Sequence, residues 1–556
     1  MRCTQAASPN PASFSKLFSK RAFSLSHHPQ GVRRWVPRCC AATLPQLGLL
    51  LLCAAWLLPG LVGHAPWKGG DGGHFVKLWL LATGALSSDA AVPPLYYWVA
   101  SATAWLTSPL LALHDGARLA SGLFIALALF FVARTARVLY GPEAGWAAAL
   151  TLLGCMGLLV RGHELNAATA QFAAAAIMLY GIAQLPRDAR GGSGAGALGG
   201  GAVLMLLAGG TAEALLFLAL AALLQGLLAE YRSPAARRAL VWGVGGALLA
   251  SAVWVAFEVA QDRPWHTFSL QRWQGSDGLR PGYYLGILGW YAWPAWPLAA
   301  WAVYRGRRQW RTPGIVLPVA ALAGLLGLYA FDAQPGEEQG LILLLPLALL
   351  GAAGLFTLRR GAANALLWFG LMLFGFLALL LWVYWSAHDL GMPARLAVRL
   401  SRLGMTEVGT WRPWALALGL AATLVWGVFL SRVERSPLRP MLVWTGSMTF
   451  VWVLLMALFL APLDRRLSYV SVAAELAKRV PAAACIQSHQ VRSEQRLLLI
   501  YHSGRQLVPA DVGCDWLLVE TRRREVEPHV ADDWIKQWEG ARPGDRSDRF
   551  HLYARH

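Results

Sequence analysis

Residues 43–75 read TLPQLGLLLLCAAWLLPGLVGHAPWKGGDGGHF, and they join an apolar run to a carboxylate enclosed by glycines. The run up to Gly63 is close to the roughly 20 residues that a spanning helix needs, and it is longer than the apolar part of a usual signal peptide. Asp71 follows with two glycines on each side. The stretch therefore predicts a membrane anchor that is followed at once by a sterically open acid.

The composition of the whole chain extends this prediction to a polytopic membrane protein. Of 556 residues, 56% are hydrophobic and only 14% are charged, and the mean hydropathy is +0.44. The formal net charge of +19 comes from short basic clusters between apolar runs, which are typical of topology signals. No nucleic-acid motif occurs, and the seven cysteines form no CxxC or Cys/His metal spacing.

Apolar runs of 17 to 25 residues predict about thirteen transmembrane helices. The predicted spans are 43–63, 118–139, 145–161, 166–184, 195–209, 212–229, 239–258, 282–303, 313–330, 340–356, 363–385, 414–430 and 441–461. The pair 195–209 and 212–229 carries the weakest pattern, because it is short and interrupted by glycines.

The distribution of Lys and Arg among the short loops gives the orientation. Segments such as ARTARVLYG, EYRSPAARR and YRGRRQWR alternate with loops that hold most of the acids, such as RGHELN and FDAQPGEEQ. Basic loops face the cytoplasm, so the N-terminus is predicted inside and the C-terminus outside. The basic segment 1–42 is then cytoplasmic and disordered, residues 43–462 form the membrane module, and the protein lies in the inner (plasma) membrane.

The segment that contains PPLYYWVASATAWLTSPLLAL resembles a further span, but counting it as one would place RTAR outside and invert every later loop. We therefore predict one large outer loop, 64–117, with two interfacial helices at about 72–86 and 94–110, the second beginning at the paired prolines.

Residues 463–556 are polar and mixed, and they predict a small extracytoplasmic α/β domain. The patterns predict a helix at SYVSVAAELAKRV, strands at RLLLIYH and CDWLLVET, a helix around DDWIKQWEG and a closing strand at RFHLYAR. Outside the cytoplasm, Cys485 and Cys514 would either form a disulfide or remain two unpaired strand cysteines.

Several polar residues of the outer loops are candidates for chemistry. Asp71 is either a general base or a cap of the following helix. Arg118, Arg161 and His163 either bind a phosphate or, for the arginines, extend toward lipid headgroups. Glu164 would hold a divalent cation with His163, tune the pKa of Asp71, or belong with Asn166 to a polar helix start.

The loop 260–284 combines cations with tryptophans, and Arg272 is its candidate for contact with a sugar or a phosphate. A solvated loop with interfacial tryptophans explains the same composition.

The order DGGHF, AVPPLYYW, ARLASGLFIALALFFVARTARVLYG, GYYLGILGWYAWPAWPL and LILLLPLALL resembles the GT-C glycosyltransferases of the protein O-mannosyltransferase and lipid A aminoarabinose transferase superfamily. The resemblance implies a GT-C fold, a polyprenyl-phosphate sugar donor, an outer-face lipid, glycan or protein acceptor, and no nucleotide sugar. It implies Asp71 as the base, and it makes His74 and Tyr96 of the first two motifs candidates for substrate contact.

The chain departs from that family's pattern at several positions. Gly72 stands where a Glu commonly follows the Asp, Val92 replaces a basic residue, and GEEQG stands where a lysine is expected before LLLP. Two other functions therefore stay open: a transporter or flippase of lipid-linked sugars, and a degenerate family member that binds such lipids or acts as a scaffold without turnover. The large outer loop, the outer domain and the lack of an inverted repeat argue against the carrier.

Overall fold

A computed structural model describes residues 43–86, 92–187, 192–261, 281–332, 336–402, 412–509, 513–522, 530–531, 533–545 and 547–556. By its internal contacts the chain divides into residues 1–51 and 52–556. The first unit contributes the start of helix α1 (Thr43–Leu57), and the second unit contains the other described helices and strands.

The second unit is mostly helical up to residue 467. Its helices in chain order are α2 (Gly70–Ala82), α3 (Pro94–Thr107), α4 (Leu113–Tyr140), α5 (Ala144–Leu153), α6 (Met156–Arg161), α7 (Ala168–Gln184), α8 (Ser193–Leu207), α9 (Thr211–Leu227), α10 (Pro234–Gln261), α11 (Pro281–Tyr291), α12 (Ala295–Gly306), α13 (Pro313–Tyr329), α14 (Gly340–Phe356), α15 (Arg360–Asp389), α16 (Ala394–Arg402), α17 (Pro413–Arg432) and α18 (Arg439–Leu467).

Every predicted span coincides with one of these helices or with a consecutive pair. Six helices in the described part of the chain are long and apolar enough to cross a membrane, and six further apolar helices are shorter. The polytopic helical class is therefore confirmed, whereas the number of thirteen spans is not established.

Two predicted spans are each broken into two helices, and packing against a neighbour accompanies the first break. Span 145–161 becomes α5 and α6, which are separated at Gly154 and Cys155. A Cβ on Gly154 would overlap the Met441 side chain of α18, and Trp444 of α18 donates from Nε1 to the Gly154 carbonyl at 3.0 Å. Span 282–303 becomes α11 and α12 in the same way, with Pro294 directly before α12.

Residues 64–117, the predicted first outer loop, contain two short helices, as expected. Helix α3 begins at Pro94, the first helical position, where proline costs no hydrogen bond. Its 14 residues extend about 21 Å, which is less than the apolar thickness of a bilayer. Trp105 and Leu106 near its end are 78% and 71% exposed, which is typical of a helix that rests against a membrane surface.

The C-terminal residues form a five-stranded sheet with two helices. The helices are α19 (Val470–Arg479) and α20 (Ser493–Ser503), and the strands are β1 (Cys485–His489), β2 (Gln506–Pro509), β3 (Trp516–Arg522), β4 (Trp534–Gly540) and β5 (Asp548–Arg555). The strand order is β2-β1-β3-β5-β4, with β1 parallel to both neighbours and the other pairs antiparallel. A disulfide joins Cys485 and Cys514.

Two predicted elements of this domain are wrong. RLLLIYH belongs to helix α20, since a short apolar run fits a buried helix as well as a strand, and Gln495 caps it by accepting from the Arg492 N–H at 3.1 Å. The predicted helix around 532–540 is the edge strand β4, paired with β5 and irregular between Lys536 and Trp538. The helix at 470–479 and strands β3 and β5 are confirmed.

The C-terminal domain shares one apolar core with the first outer loop. Phe75 and Leu78 of α2 belong to the same buried cluster as Leu498 of α20 and Val472 of α19. At the entry to the domain, Asp464 accepts from the Ala65 N–H at 3.0 Å and from Trp67 Nε1 at 3.1 Å. The fold therefore holds the glycine-rich stretch around Asp71 between the membrane helices and this domain.

Candidate functional site

Asp71 and Arg118 form a buried ion pair beneath the outer loops. Arg118 Nε lies 3.1 Å from Asp71 Oδ1, and its Nη2 lies 3.2 Å from Oδ2. Asp71 is 1% exposed and Arg118 is completely buried. Arg118 Nη1 also donates to Asp115 Oδ1 at 2.9 Å, so one guanidinium binds two carboxylates.

Backbone groups complete the coordination of Asp71. The Leu165 N–H donates to Oδ1 at 2.7 Å, and the Trp67 N–H donates to Oδ2 at 2.8 Å. Burial opposes ionisation of Asp71, but the Arg118 charge and hydrogen bonds keep the pKa of that carboxyl below its ordinary value. A carboxylate with four donors and a lowered pKa is a poor general base.

Asp71 therefore joins the loop before α2 to the loop before α7, and its role as general base stays a prediction. It does not cap α2, because the N–H that it accepts from Trp67 precedes that helix. Each of the three nitrogens of Arg118 donates to a group inside the protein, and its contact with a phosphate also stays a prediction.

Tyr96 supports the second outer loop through a chain of hydrogen bonds. Ser121 Oγ donates to the Glu164 carbonyl at 2.8 Å, so the Tyr96 hydroxyl must donate to Ser121 Oγ, also at 2.8 Å. The Tyr96 oxygen accepts from the Asn166 N–H at 3.0 Å. Tyr96 is 1% exposed and positions the backbone at Glu164, and its contact with substrate stays a prediction.

His163 and Asn166 shape the same loop. The ring nitrogens of His163 lie 2.8 Å from the Leu159 carbonyl oxygen and 2.9 Å from that of Trp56, and the residue is buried. The predicted contact of His163 with a phosphate or a cation stays a prediction. Asn166 Oδ1 accepts from the N–H of Ala168, the first residue of α7, at 2.9 Å, although Ala167 is the N-cap residue of that helix.

Glu164 and Arg161 are the predicted candidates that remain accessible. Arg161 Nη1 donates to Glu164 Oε2 at 3.1 Å, and Arg161 Nη2 donates to Glu337 Oε2 at 2.6 Å. These three side chains are 20% to 31% exposed. Tyr291 donates from its hydroxyl to the Glu337 carbonyl at 2.8 Å and fixes the turn that carries Glu337.

His74 joins this group from helix α2. Its Nδ1 lies 2.8 Å from the Tyr97 hydroxyl, and its Nε2 lies 3.3 Å from Glu338 Oε2. A Cβ on Gly70 would overlap Glu338 Oε1 and would lie 4.0 Å from Glu164 Oε2. Two acids from different loops therefore face the same glycine, and Gly70 leaves the space between them open.

The two acids have opposite pKa shifts. Burial, with the negative charges of Asp71 and Glu338, raises the pKa of Glu164 to about 7, although Arg161 acts against this shift. Burial also opposes the charge on Glu338, but its hydrogen bond with His74 and the charges of His74, Arg161 and Lys77 hold the pKa of Glu338 below its ordinary value. Of these two acids, Glu164 is the better suited to accept a proton near neutral pH.

The C-terminal domain explains the glycine at position 72. A Cβ there would lie 2.7 Å from the Trp67 carbonyl oxygen, 3.0 Å from Leu498 Cδ1 and 3.1 Å from Glu494 Oε1. No side chain fits without displacing α20. The carboxylate of Glu494 itself occupies the space beside Gly72, so an acid from the domain stands next to the position where the family resemblance led us to expect one.

The predicted candidate Arg272, in the loop 260–284, lies outside the described residues. Among the residues that are described, no group of three His, Cys, Asp or Glu side chains is arranged to hold a metal ion.

Sequence reasoning missed Glu337, Glu338, Tyr97 and Glu494. The motif GEEQG, which contains Glu337 and Glu338, was interpreted only as lacking an expected lysine. Its two neighbouring acids in a predicted outer loop were themselves an indication of a polar site. Glu494 carried no signal, because it reaches the site only when α20 packs on α2.

By sequence, the chain matches no protein-family model and no curated protein. By structure, it is similar to ArnT from Cupriavidus metallidurans bound to undecaprenyl phosphate, with a TM-score of 0.60 and 16% identity over 92% of this chain and 98% of that one. The same ArnT in its apo state aligns with a TM-score of 0.58 and 17% identity over 84% and 86% of the two chains. The chain therefore has an ArnT-like fold, as the resemblance of its motifs predicts.

Proposed function

We propose that this protein is a membrane glycosyltransferase that moves a sugar from a polyprenyl-phosphate carrier to an acceptor on the outer face of the membrane. The observation that carries the proposal is the ArnT-like fold, which extends over nearly the whole of both chains. The related structure contains undecaprenyl phosphate, and the proposal assigns a carrier of that class to this chain.

In the proposed reaction an acceptor oxygen attacks the anomeric carbon of the sugar. The bond from that carbon to the phosphate oxygen breaks, and polyprenyl phosphate leaves with the electron pair. The acceptor proton passes to Glu164, whose near-neutral pKa and partial exposure suit a general base. A single displacement of this kind inverts the anomeric configuration.

The cations around Glu164 are proposed to hold the departing phosphate. Arg161 is fixed by its ion pairs with Glu164 and Glu337, and His74 is fixed by Glu338, so both need little reorganisation to meet a ligand. Lys77 extends from the same helix as His74 and is exposed. Arg272 belongs to the proposal as a further phosphate contact from the loop 260–284.

The proposal also includes the topology. Residues 463–556 and the loop 64–117 lie outside the cytoplasm, residues 1–42 lie inside, and residues 43–462 form the module in the inner membrane. The Cys485–Cys514 disulfide supports this orientation, because structural disulfides persist mainly in oxidising compartments. The acceptor is then a lipid, glycan or protein of the cell envelope.

The test is sugar transfer by the full-length protein in proteoliposomes supplied with a panel of labelled undecaprenyl-phosphate glycosides. We expect Glu164→Gln to lower transfer about 100-fold or more without changing the melting temperature, because a missing base typically costs that much. Glu475→Gln is the matched control, since Glu475 lies on helix α19 and pairs only with exposed Lys478 and Arg479.

Three results would contradict the proposal in different ways. Full activity of Glu164→Gln would exclude Glu164 as the base. Failure of the wild type to consume any donor would favour a binding or scaffolding protein. Movement of intact lipid-linked sugar across the vesicle membrane would indicate a carrier.

A further inference from the structure

An apolar groove lies between helices α12 and α15, at the end of α14 that is remote from Glu164. Its volume is about 450 Å³, within the range of pockets that bind small ligands. Trp293, Pro297, Leu366 and Phe369 line it, and Arg359 is the one charged residue of its wall. Helix α15 is a candidate span in whose most apolar stretch only 17% is buried, so exposed apolar surface lies beside the groove.

The polar end of the groove is strongly cationic. The guanidinium carbons of Arg359 and Arg305 lie 5.4 Å and 6.0 Å from the centre of the Trp301 ring. In the described part of the chain no carboxylate lies within salt-bridge distance of either arginine. Residues 281–331 and 340–388 contain no Asp or Glu, whereas six arginines cluster at 305, 307, 308, 311, 359 and 360.

The groove is separate from the candidate active site. Glu338 lies two residues before α14 and Arg359 three residues after it, and the 17 residues of that helix extend about 25 Å. A phosphate at Arg359 is therefore too far from Glu164 to be the phosphate that leaves during sugar transfer. The distance is close to the apolar thickness of a bilayer, about 30 Å, so the two sites lie near opposite ends of a span.

We infer that this groove binds an anionic glycerophospholipid, with one acyl chain against Trp293 and Phe369 and the phosphate at Arg359. Charge complementarity selects the occupant. Arg359 in the wall of the otherwise apolar groove and Arg305 beside Trp301 have no carboxylate partner among the described residues, and arginine binds phosphate through two parallel hydrogen bonds. The groove suits a single acyl chain more than a long polyprenyl chain, because its volume is limited. The inference does not depend on the proposed transferase activity.

The test is native mass spectrometry of the delipidated full-length protein titrated with phosphatidylglycerol or phosphatidylcholine. We expect the wild type to retain one phosphatidylglycerol about 10-fold better than phosphatidylcholine. Arg359→Gln should abolish that preference, and Ala365→Trp should fill the groove and abolish retention of both lipids. Arg311→Gln and Ala421→Trp, two exposed positions outside the groove, should behave like the wild type.

The melting temperature of each variant is measured to check that the variant is folded. If one of the two groove variants does not fold, the other alone still tests the inference. Unchanged phosphatidylglycerol binding in Ala365→Trp, or equal loss in Arg311→Gln, would overturn the inference. Competition by equimolar undecaprenyl phosphate would instead assign the groove to a polyprenyl lipid. Competition by inorganic phosphate would show that only an anion site exists at Arg359.

Discussion

Asp71 and Arg118, 47 positions apart in the chain, form a two-point ion pair from which solvent is excluded. The pair joins helix α2 to helix α4, and through the Leu165 N–H it also holds the second outer loop. Because Glu164 precedes Leu165 directly, this buried pair sets the position of the proposed base. Asp71 therefore holds together the loops that carry the proposed base.

The first prediction is that Asp71→Asn destabilises the protein by about 3 kcal/mol, because the buried Arg118 charge then keeps one carboxylate partner, Asp115, in place of two. The measurement is thermal unfolding of the purified full-length protein. The double variant Asp71→Asn with Arg118→Met should be more stable than the sum of the two single effects, since it removes both charges. Lys478→Gln, which breaks an exposed pair, should change stability by less than about 1 kcal/mol. Strictly additive effects would argue against the pair.

The second prediction separates two neighbouring glycines. Gly72→Ala should loosen the C-terminal domain, because the new Cβ meets the Trp67 backbone and Leu498, and neither yields easily. Gly70→Ala meets only the flexible end of Glu338, so it should preserve stability and lower activity by displacing that carboxylate. Limited proteolysis after residue 467 and transfer assays measure the two effects. Equal behaviour of the two variants would contradict the distinction.

The third prediction concerns the Cys485–Cys514 disulfide. The bridge spans 29 residues, for which the loss of loop closure costs roughly 3–4 kcal/mol, so Cys485→Ser should lower the melting temperature of the C-terminal domain. Maleimide labelling of unfolded protein should detect two additional thiols only after reduction. Cys53 and Cys155, both free, react with and without reductant under those conditions. Two additional thiols in unreduced protein would contradict the pairing.

The sequence predicts the positions of the apolar helices but not the contacts of the candidate site. The length of an apolar run is a local property, so each predicted span coincides with one helix or a consecutive pair, and Pro94 marks the start of α3 correctly. The Asp71–Arg118 ion pair depends on tertiary packing. In the sequence each residue is an isolated charge next to an apolar run, and the two charges meet only because α2 packs near α4. The same holds for Arg161 and Glu337, which lie 176 positions apart.

The errors in the C-terminal domain have a different physical origin. RLLLIYH is equally compatible with a buried helix and a buried strand, and the cap formed by Gln495 decides between them. DDWIKQWEG forms strand β4 because it pairs with the edge of β5. This tertiary pairing overrides the helical preference of its local sequence pattern. The neighbouring strands β3 and β5 were predictable because both carry a continuous run of buried, mostly apolar residues.

The last prediction uses the pKa of Glu164. The base must be ionised to accept a proton, so the transfer rate should fall as the pH drops below about 7, where Glu164 becomes protonated. The positive charge of Arg161 lowers that pKa, so Arg161→Met should raise it and move the acidic limb of the pH–rate profile upward. The measurement is the rate of transfer under saturating donor between pH 5.5 and about 9, a window chosen around the near-neutral range for a general base.

Arg161 also belongs to the proposed phosphate site, so Arg161→Met should slow transfer at every pH, and the position of the limb is the informative quantity. Glu338→Gln is the matched counterpart, because the negative charge of Glu338 raises the pKa of Glu164. Its removal should shift the limb downward, opposite to the effect of Arg161→Met. Two variants that displace one titration in opposite directions would identify the titrating group as Glu164, whereas a limb that stays in place in both would assign the base to another residue.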